Sequence, residues 1–280
     1  MIYELKNRLK KDVFAKISLT IIIIYFLIAG LAQFGLIAKN FDKIDYNKSY
    51  SPPSAEHPLG TDYLGRDVLQ RVLHGSRIAI SVGIVSSLIA IPIGVFFGAI
   101  AGYFGGKIDE IIVWFYSTLD SIPGLLLILA MSLVFGRGLY AVYLALGLTT
   151  WVSLCRLIRS EFIKHREREY VLSAKALGAG PFRQIFVHIL PNVFHIVIIN
   201  FSLRFVYSIQ AEVILSYLGL GAQDLPSWGI MINDAKVELA RGVWWQLAGA
   251  TGAMFLLVLA LNIFGDFLRD SLDPKLGGLT

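Results

Sequence analysis

The residues that could carry chemistry are few and scattered. Five histidines, His57, His74, His165, His188 and His195, include no His-Glu-x-x-His pair, the spacing that sets two imidazoles around a zinc ion on one helix face. Gly105-Gly106-Lys107 lacks both the upstream glycine and the Ser or Thr after lysine that a phosphate-binding loop uses, and reads as a tight turn. Ser153, Ser160 and Ser173 have no nucleophile-elbow context. The single cysteine, Cys155, excludes an intramolecular disulfide and reads as a small packing residue. Asp120, Arg204 and Glu212 stand out because they interrupt long apolar stretches, where a charge is costly and faces a protein interior or a watery path.

Those stretches define the class. Of 280 residues, 56% are hydrophobic and only 16% charged, and the mean hydropathy is +0.66, too apolar for a chain that must wet its whole surface. The sequence predicts an all-α membrane protein with six transmembrane helices: Ile17–Ile37, Ile78–Ala101, Ile111–Gly136, Gly138–Cys155, Val193–Leu220 and Gly242–Gly265. Runs such as Ile21-Ile22-Ile23-Ile24 are continuously apolar, so barrel strands, which alternate, do not fit. The formal net charge of +5 needs no nucleic acid, because basic residues flank spans for topological reasons.

Lys6, Arg8, Lys10, Lys11 and Lys16 precede the first span and predict a cytoplasmic N-terminus; six spans return the C-terminus to the same side. The connection from Arg156 to Asn192, rich in Arg and Lys, is then cytoplasmic too. The basic start and apolar run also fit a cleaved signal peptide with Gly30-Leu31-Ala32 as its small-x-small site, though the run continues to Ile37. Residues 1–56 are expected to be an appendage of N-terminus, first span and external linker, and 57–280 the core. Leu64, Val68, Leu69, Val72 and Leu73 recur at helical spacing and predict a short surface helix before the second span.

Asn200, Arg204, Ser208 and Glu212 follow an i, i+4 rhythm and share one face of the fifth predicted span. Two readings stay open: a wall of a solute pathway, or structural pairing, with Arg204 and Glu212 each satisfied by a neighbouring helix or by a partner subunit in the membrane. Asp120, three residues before Pro123, carries the same ambiguity. Trp228, Trp244 and Trp245 flank the last external loop, where aromatic residues anchor a membrane interface.

Glu169 to Gly178 is expected to form a short helix ended by Gly178, and Pro181 to Leu190 a second, stopped by Pro191. The pair would make either a compact knob or an ordinary interfacial loop. The segment resembles the EAA signature of ATP-binding-cassette importer permeases: Glu-Ala-Ala, three residues, Gly, nine residues, Ile-x-Leu-Pro. Ala174, Gly178, Leu190 and Pro191 match in register; Leu172, Ser173 and His188 depart from it. His57-Pro58-Leu59-Gly60-Thr61-Asp62 with Gly65-Arg66-Asp67, Leu215 to Gly221, Pro226-Ser227-Trp228-Gly229, and Gly265-Asp266 through Pro274 are similar to motifs of the C-type permease in the dipeptide, oligopeptide and nickel import subfamily.

The resemblance spans residues 57 to 274 and implies a five-span type I importer core preceded by one extra span. It implies that the knob is a coupling helix pair docking on a separate ATPase subunit through Glu169, Tyr170, Ser173, Ala174, Leu177, Gly178, Leu190 and Pro191. It also implies a second homologous permease, two ATPase subunits that hold the ATP and Mg2+, and an external binding protein that Asp224, Asp234 and Glu238 could contact, all at a bacterial inner membrane. This chain itself would be no enzyme and hold no cofactor or metal. Peptides are the expected solute, nickel or another small solute the alternative. A different class, an ion-coupled secondary transporter working through Asp120, Arg204 and Glu212, predicts ATP-independent transport by the chain alone.

Overall fold

The computed structural model describes residues 2–223 and 225–272, nearly all of them helical or in the connections between helices. Helix α1 (Ile2–Lys11) leads into α2 (Val13–Gln33), which starts where the Asp12 carboxylate accepts from the Ala15 amide. Then follow α3 (Val68–Phe104), α4 (Gly106–Asp120), α5 (Gly124–Phe135), α6 (Leu139–Thr149), α7 (Trp151–His165), α8 (Glu169–Ala176), α9 (Pro181–Arg183), α10 (Leu190–Tyr217), α11 (Trp228–Leu239) and α12 (Trp245–Leu272). Among the described residues, five stretches are long and apolar enough to cross a membrane: α2, α3, α6 with α7, Pro181–Tyr217, and α12.

The third predicted span, Ile111–Gly136, is corrected by the structure. It is two helices, α4 and α5, bent by 90° at Ser121-Ile122-Pro123, and counts as a sixth crossing only if the bent pair is taken as one. Proline cannot donate its amide and disfavours helix at the residue before it, so a bend here has a local cause. The short surface helix expected over Leu64–Leu73 is absent as well: Val68 to Leu73 are the first turns of the 37-residue α3, with Val68 and Val72 in the core.

Helix α2 is not peripheral in its packing. Ile22, Tyr25 and Ala29 join residues of α3, α10 and α12 in one apolar cluster, and the Tyr25 hydroxyl donates to the Ala253 carbonyl at 2.8 Å. At one end of the molecule, Arg8 ties α1 to the end of α12 through the Asp270 carbonyl at 3.0 Å, and Arg166, just past α7, ties to the end of α3 through the Gly102 carbonyl at 3.3 Å. The opposite end carries the segment from 40 to 67 and α11. There Trp228 donates to Val72 at 3.0 Å and Trp245 to Thr61 at 2.8 Å. Both indoles are buried, so only Trp244 keeps the exposed position expected of an interfacial anchor.

The tightest contact is between α3 and α7. Gly94, Gly98 and Gly102 recur every fourth residue on α3 and face backbone of α7. A Cβ on Gly98 would lie 2.6 Å from the Cys155 carbonyl and 2.9 Å from the Ile158 Cβ. In lipid, helices gain no hydrophobic attraction from one another, so close backbone approach at small residues is a main source of adhesion. Cys155 lies fully buried in this seam.

Candidate functional site

Three places bear on function: the knob around α8, a cavity beside α10, and a buried charge cluster at the α11 end. The knob is built on an apolar floor. Val171 and Ala174 on α8 are buried, and Val171 packs with Phe162, Ile185, Ile189 and Val193. Glu169 in the first turn and Lys175 in the last complement the helix dipole. The helix ends in a Schellman turn: Ala179 N–H donates to Ala174 and Gly178 N–H to Lys175, both at 3.0 Å, with Gly178 at φ +85°. Gln184, also buried, ties this turn to α3 by donating to the Ala179 carbonyl at 2.6 Å and accepting from the Tyr103 hydroxyl at 2.7 Å.

The second helix does not stop at Pro191, contrary to expectation. From α9 the chain passes through a π-helical stretch, Gln184–Ile189, directly into α10, so that Pro181–Tyr217 is one continuous helical run. The wider π turn accommodates a proline that an α-helix interior would not. Asn192 donates its side-chain amide to the His188 carbonyl at 2.7 Å, supplying a partner inside the run. Leu190 is half-buried; Glu169, Tyr170, Ser173, Leu177, Gly178 and Pro191 are exposed. Leu177 is 89% exposed, and Leu172, Phe182, Phe186 and Val187 are exposed with it, an apolar face of the kind that marks an interaction site.

The cavity, about 410 Å³, is bounded by the α4–α5 bend, the α6–α7 junction and α10. Of the four polar residues predicted to share one face of α10, it collects two. Asn200 and Arg204 line it, with Asp120, Ser153 and Tyr207. Ser208 instead accepts from Ser86 at 2.9 Å in the α3–α10 contact, and Glu212 is buried with its carboxylate accepting from Ser216 at 2.5 Å. The i, i+4 face thus divides: Asn200 and Arg204 border the open space, Ser208 meets α3, and Glu212 is buried against Ser216 of its own helix. Arg204 donates to Ser153 Oγ at 3.0 Å, and Asp120 pairs with Arg156 at 2.7 Å. Ser153 and Arg156 were not read as partners from the sequence, because separate helices bring them there.

At the other end, the His57–Asp67 motif is a structural knot. The Asp62 carboxylate, fully buried, accepts from the Leu64 and Arg66 amides at 2.9 Å each and from Arg66 Nε at 2.7 Å. Asp67 caps α3 through the Gln70 amide at 2.9 Å and takes a 2.7 Å contact from His57 Nδ1. Asp234 sits 3.7 Å from Arg71 and 3.9 Å from Arg66. Glu238, 1% exposed, accepts from the Tyr63 amide at 3.0 Å. Glu238, expected to meet an external partner, is buried instead: the Tyr63 amide holds Oε1, and Oε2 has no partner among the described residues. Asp234 faces the two arginines while its side chain stays 21% exposed, and Asp224 lies outside the described residues.

Burial pushes the Glu238 carboxyl up to about 7, against the help of the Tyr63 amide, and burial also raises Asp234 despite Arg71 and Arg66. A carboxyl held higher in the folded state than in the unfolded one binds more protons when folded. Its contribution is therefore complete below the unfolded value of 4.5 and is lost as pH rises through about 7. Glu238→Gln should flatten the fall in thermal stability between pH 5 and pH 8 by roughly 2–3 kcal/mol. Tryptophan-monitored melting of wild type and variant at both pH values checks this; identical profiles would show that Glu238 does not titrate there.

Comparison with known proteins agrees with this architecture. Residues 94–278 match the family model of the binding-protein-dependent transport system inner membrane component. The dipeptide transport system permease protein DppC of Bacillus subtilis is 39% identical over 271 residues, covering 96% of this chain and 84% of that protein. The oligopeptide transport system permease protein OppC of Bacillus subtilis is 34% identical over 275 residues, covering 96% and 88%. The glutathione transport system permease protein GsiD of Pectobacterium atrosepticum is 37% identical over 256 residues, covering 91% and 85%. With a multi-span helical body, an exposed apolar knob at one end and relatives matched along nearly their whole length, the chain belongs to the binding-protein-dependent inner membrane permeases of ATP-binding-cassette importers, in the dipeptide and oligopeptide branch.

Proposed function

We propose that this chain is one of two different permease subunits of a peptide importer and that it hydrolyses nothing itself. The observation that carries this is the knob: a short helix fixed to α3 and α10 by buried contacts, yet presenting Leu172, Leu177 and Phe182 outward. A separate ATPase subunit that covered this face would move a rigid lever, because α8 packs on the helical run that continues from Pro181 into α10 without a break. ATP and Mg2+ belong to that partner. The knob end is cytoplasmic, as are both termini, and the α11 end faces an external binding protein. Residues 57–280 are the moving core and 1–56 an added span and linker. Relatives named for dipeptides, oligopeptides and glutathione favour a short peptide as the solute.

Alternating access then follows from population shift: ATP binding favours one arrangement of the ATPase pair, and the docked levers favour the matching arrangement of the spans. The test is reconstitution. Proteoliposomes holding this chain, a second permease and two ATPase subunits should take up labelled dipeptide only with ATP on the knob side and binding protein on the other. Dipeptide or ion flux through the chain alone, without ATP, would instead establish a secondary transporter.

A further inference from the structure

The cavity beside α10 contains a guanidinium that the lever mechanism does not use. Arg204 lies near the midpoint of α10 and is 6% exposed. Its Nη2 donates to the neutral Ser153 hydroxyl at 3.0 Å, while Nε and Nη1 are buried without a partner. Nearby acids are engaged elsewhere: Asp120 with Arg156 at 2.7 Å, Glu212 with Ser216 at 2.5 Å. A buried cation with unmet donors costs several kcal/mol unless something anionic completes it.

A second positive element opens into the same space. Helix α5 begins at the 90° bend, with Pro123 at its N-cap and no side-chain cap, so its first amides lack acceptors inside the helix. Gly124 lines the cavity, and a Cβ placed on it would meet only Tyr207 Oη, at 3.8 Å. The backbone is therefore open to a ligand at the end of a helix whose dipole favours negative charge.

We propose that Arg204 and the N-terminus of α5 together form a carboxylate station, which holds the free carboxylate of the peptide as it passes between the two permeases. This rests on the peptide-importer reading above. Guanidinium geometry suits a carboxylate, which it can grip with two parallel donors. The space, about 410 Å³, holds a whole small solute and is more than one acidic side chain from a neighbouring subunit would fill. Leu127, Ile128 and Leu203 supply apolar walls for uncharged side chains. Asp120, the one other charged residue of the lining, is already met by Arg156, and the uncharged remainder would let the solute leave once the helices move, because one charge contact and the open helix end supply most of the polar attraction.

The test uses the assembled complex. Arg204 is modified with phenylglyoxal and the extent read by peptide mass spectrometry, with dialanine or dialanine amide as competitor. Dialanine should slow modification about tenfold, the loss expected when a charge-assisted contact is withheld, and the amide should not. In proteoliposomes, Arg204→Gln should lower dialanine uptake about tenfold while Arg204→Lys retains part of it. Continued protection of Cys155 from maleimide establishes that Arg204→Gln is folded. Equal protection by acid and amide, protection by neither, or protection by phosphatidylglycerol alone would overturn the station. So would an Arg204 that reacts only after the second permease is removed, which would assign it to the subunit interface. Wild-type complex that takes up no peptide refutes the importer reading instead, and the modification experiment remains readable in that case.

Discussion

Gly98→Leu is expected to open the α3–α7 seam and expose Cys155 to thiol reagents. A Cβ at this position falls 2.6 Å from the Cys155 carbonyl, and backbone cannot swing aside as a flexible side chain would. The two helices must separate, and Gly94 and Gly102, one turn away on either side, lose their contacts with α7 as well. Overpacking a close-fitted interior costs about 3 kcal/mol at the upper end. At 1.4 kcal/mol per factor of ten, that corresponds to a rise of roughly 100-fold in the open population and so in the maleimide labelling rate. Since Cys155 is the only cysteine, the signal has one source. Gly252→Leu on α12 is the matched control, because a Cβ there meets nothing within 4 Å. If Gly98→Leu labelled as slowly as Gly252→Leu, the seam would not be what holds α3 and α7 together.

Gly178→Val should separate ATP hydrolysis from transport while leaving the protein in the membrane. Nothing lies within 4 Å of a Cβ at Gly178, so the effect is not steric crowding; it comes from φ +85°, where a β-branched residue is strained by about 1–2 kcal/mol or more. Relieving that strain breaks the paired bonds from Gly178 and Ala179 to Lys175 and Ala174, and turns Leu177 away from its outward position. A shift of this size lowers the population of correctly shaped knobs roughly tenfold. Peptide transported per ATP hydrolysed in proteoliposomes is the measurement. Gly178→Asn should stay near wild type, since asparagine tolerates the left-handed region. Wild-type coupling in the valine variant would mean that the shape of this turn does not transmit motion.

Both effects depend on glycines, yet they were not equally legible. Gly178 declared itself by ending an apolar helical stretch ahead of Pro181, a pattern with a local cause. Gly94, Gly98 and Gly102 also carry a local signal, small residues every fourth position, but in a sequence rich in glycine that spacing acquires meaning only once α7 lies against it. The tryptophans show the same limit. Trp228 and Trp245 sit at span ends, as interfacial anchors do, and only their bonds to Val72 and Thr61 reveal them as core residues.

The sequence by itself determined the class, the apolar stretches of most of the spans and the family, because hydrocarbon admits only long apolar helices and because ordered motifs survive as linear strings. It also located the knob between residues 169 and 191. Tertiary structure decided what the polar residues do. Asn200, Arg204, Ser208 and Glu212 lie on one broad face of a helical wheel. They become unlike only when α3 covers Ser208 and the α4–α5 bend leaves a space beside Arg204. Glu238 is buried and Asp234 half-buried because Tyr63, Arg66 and Arg71 arrive from far away in the chain. Desolvation and pairing are properties of the assembled surroundings, and no residue carries them in its own identity.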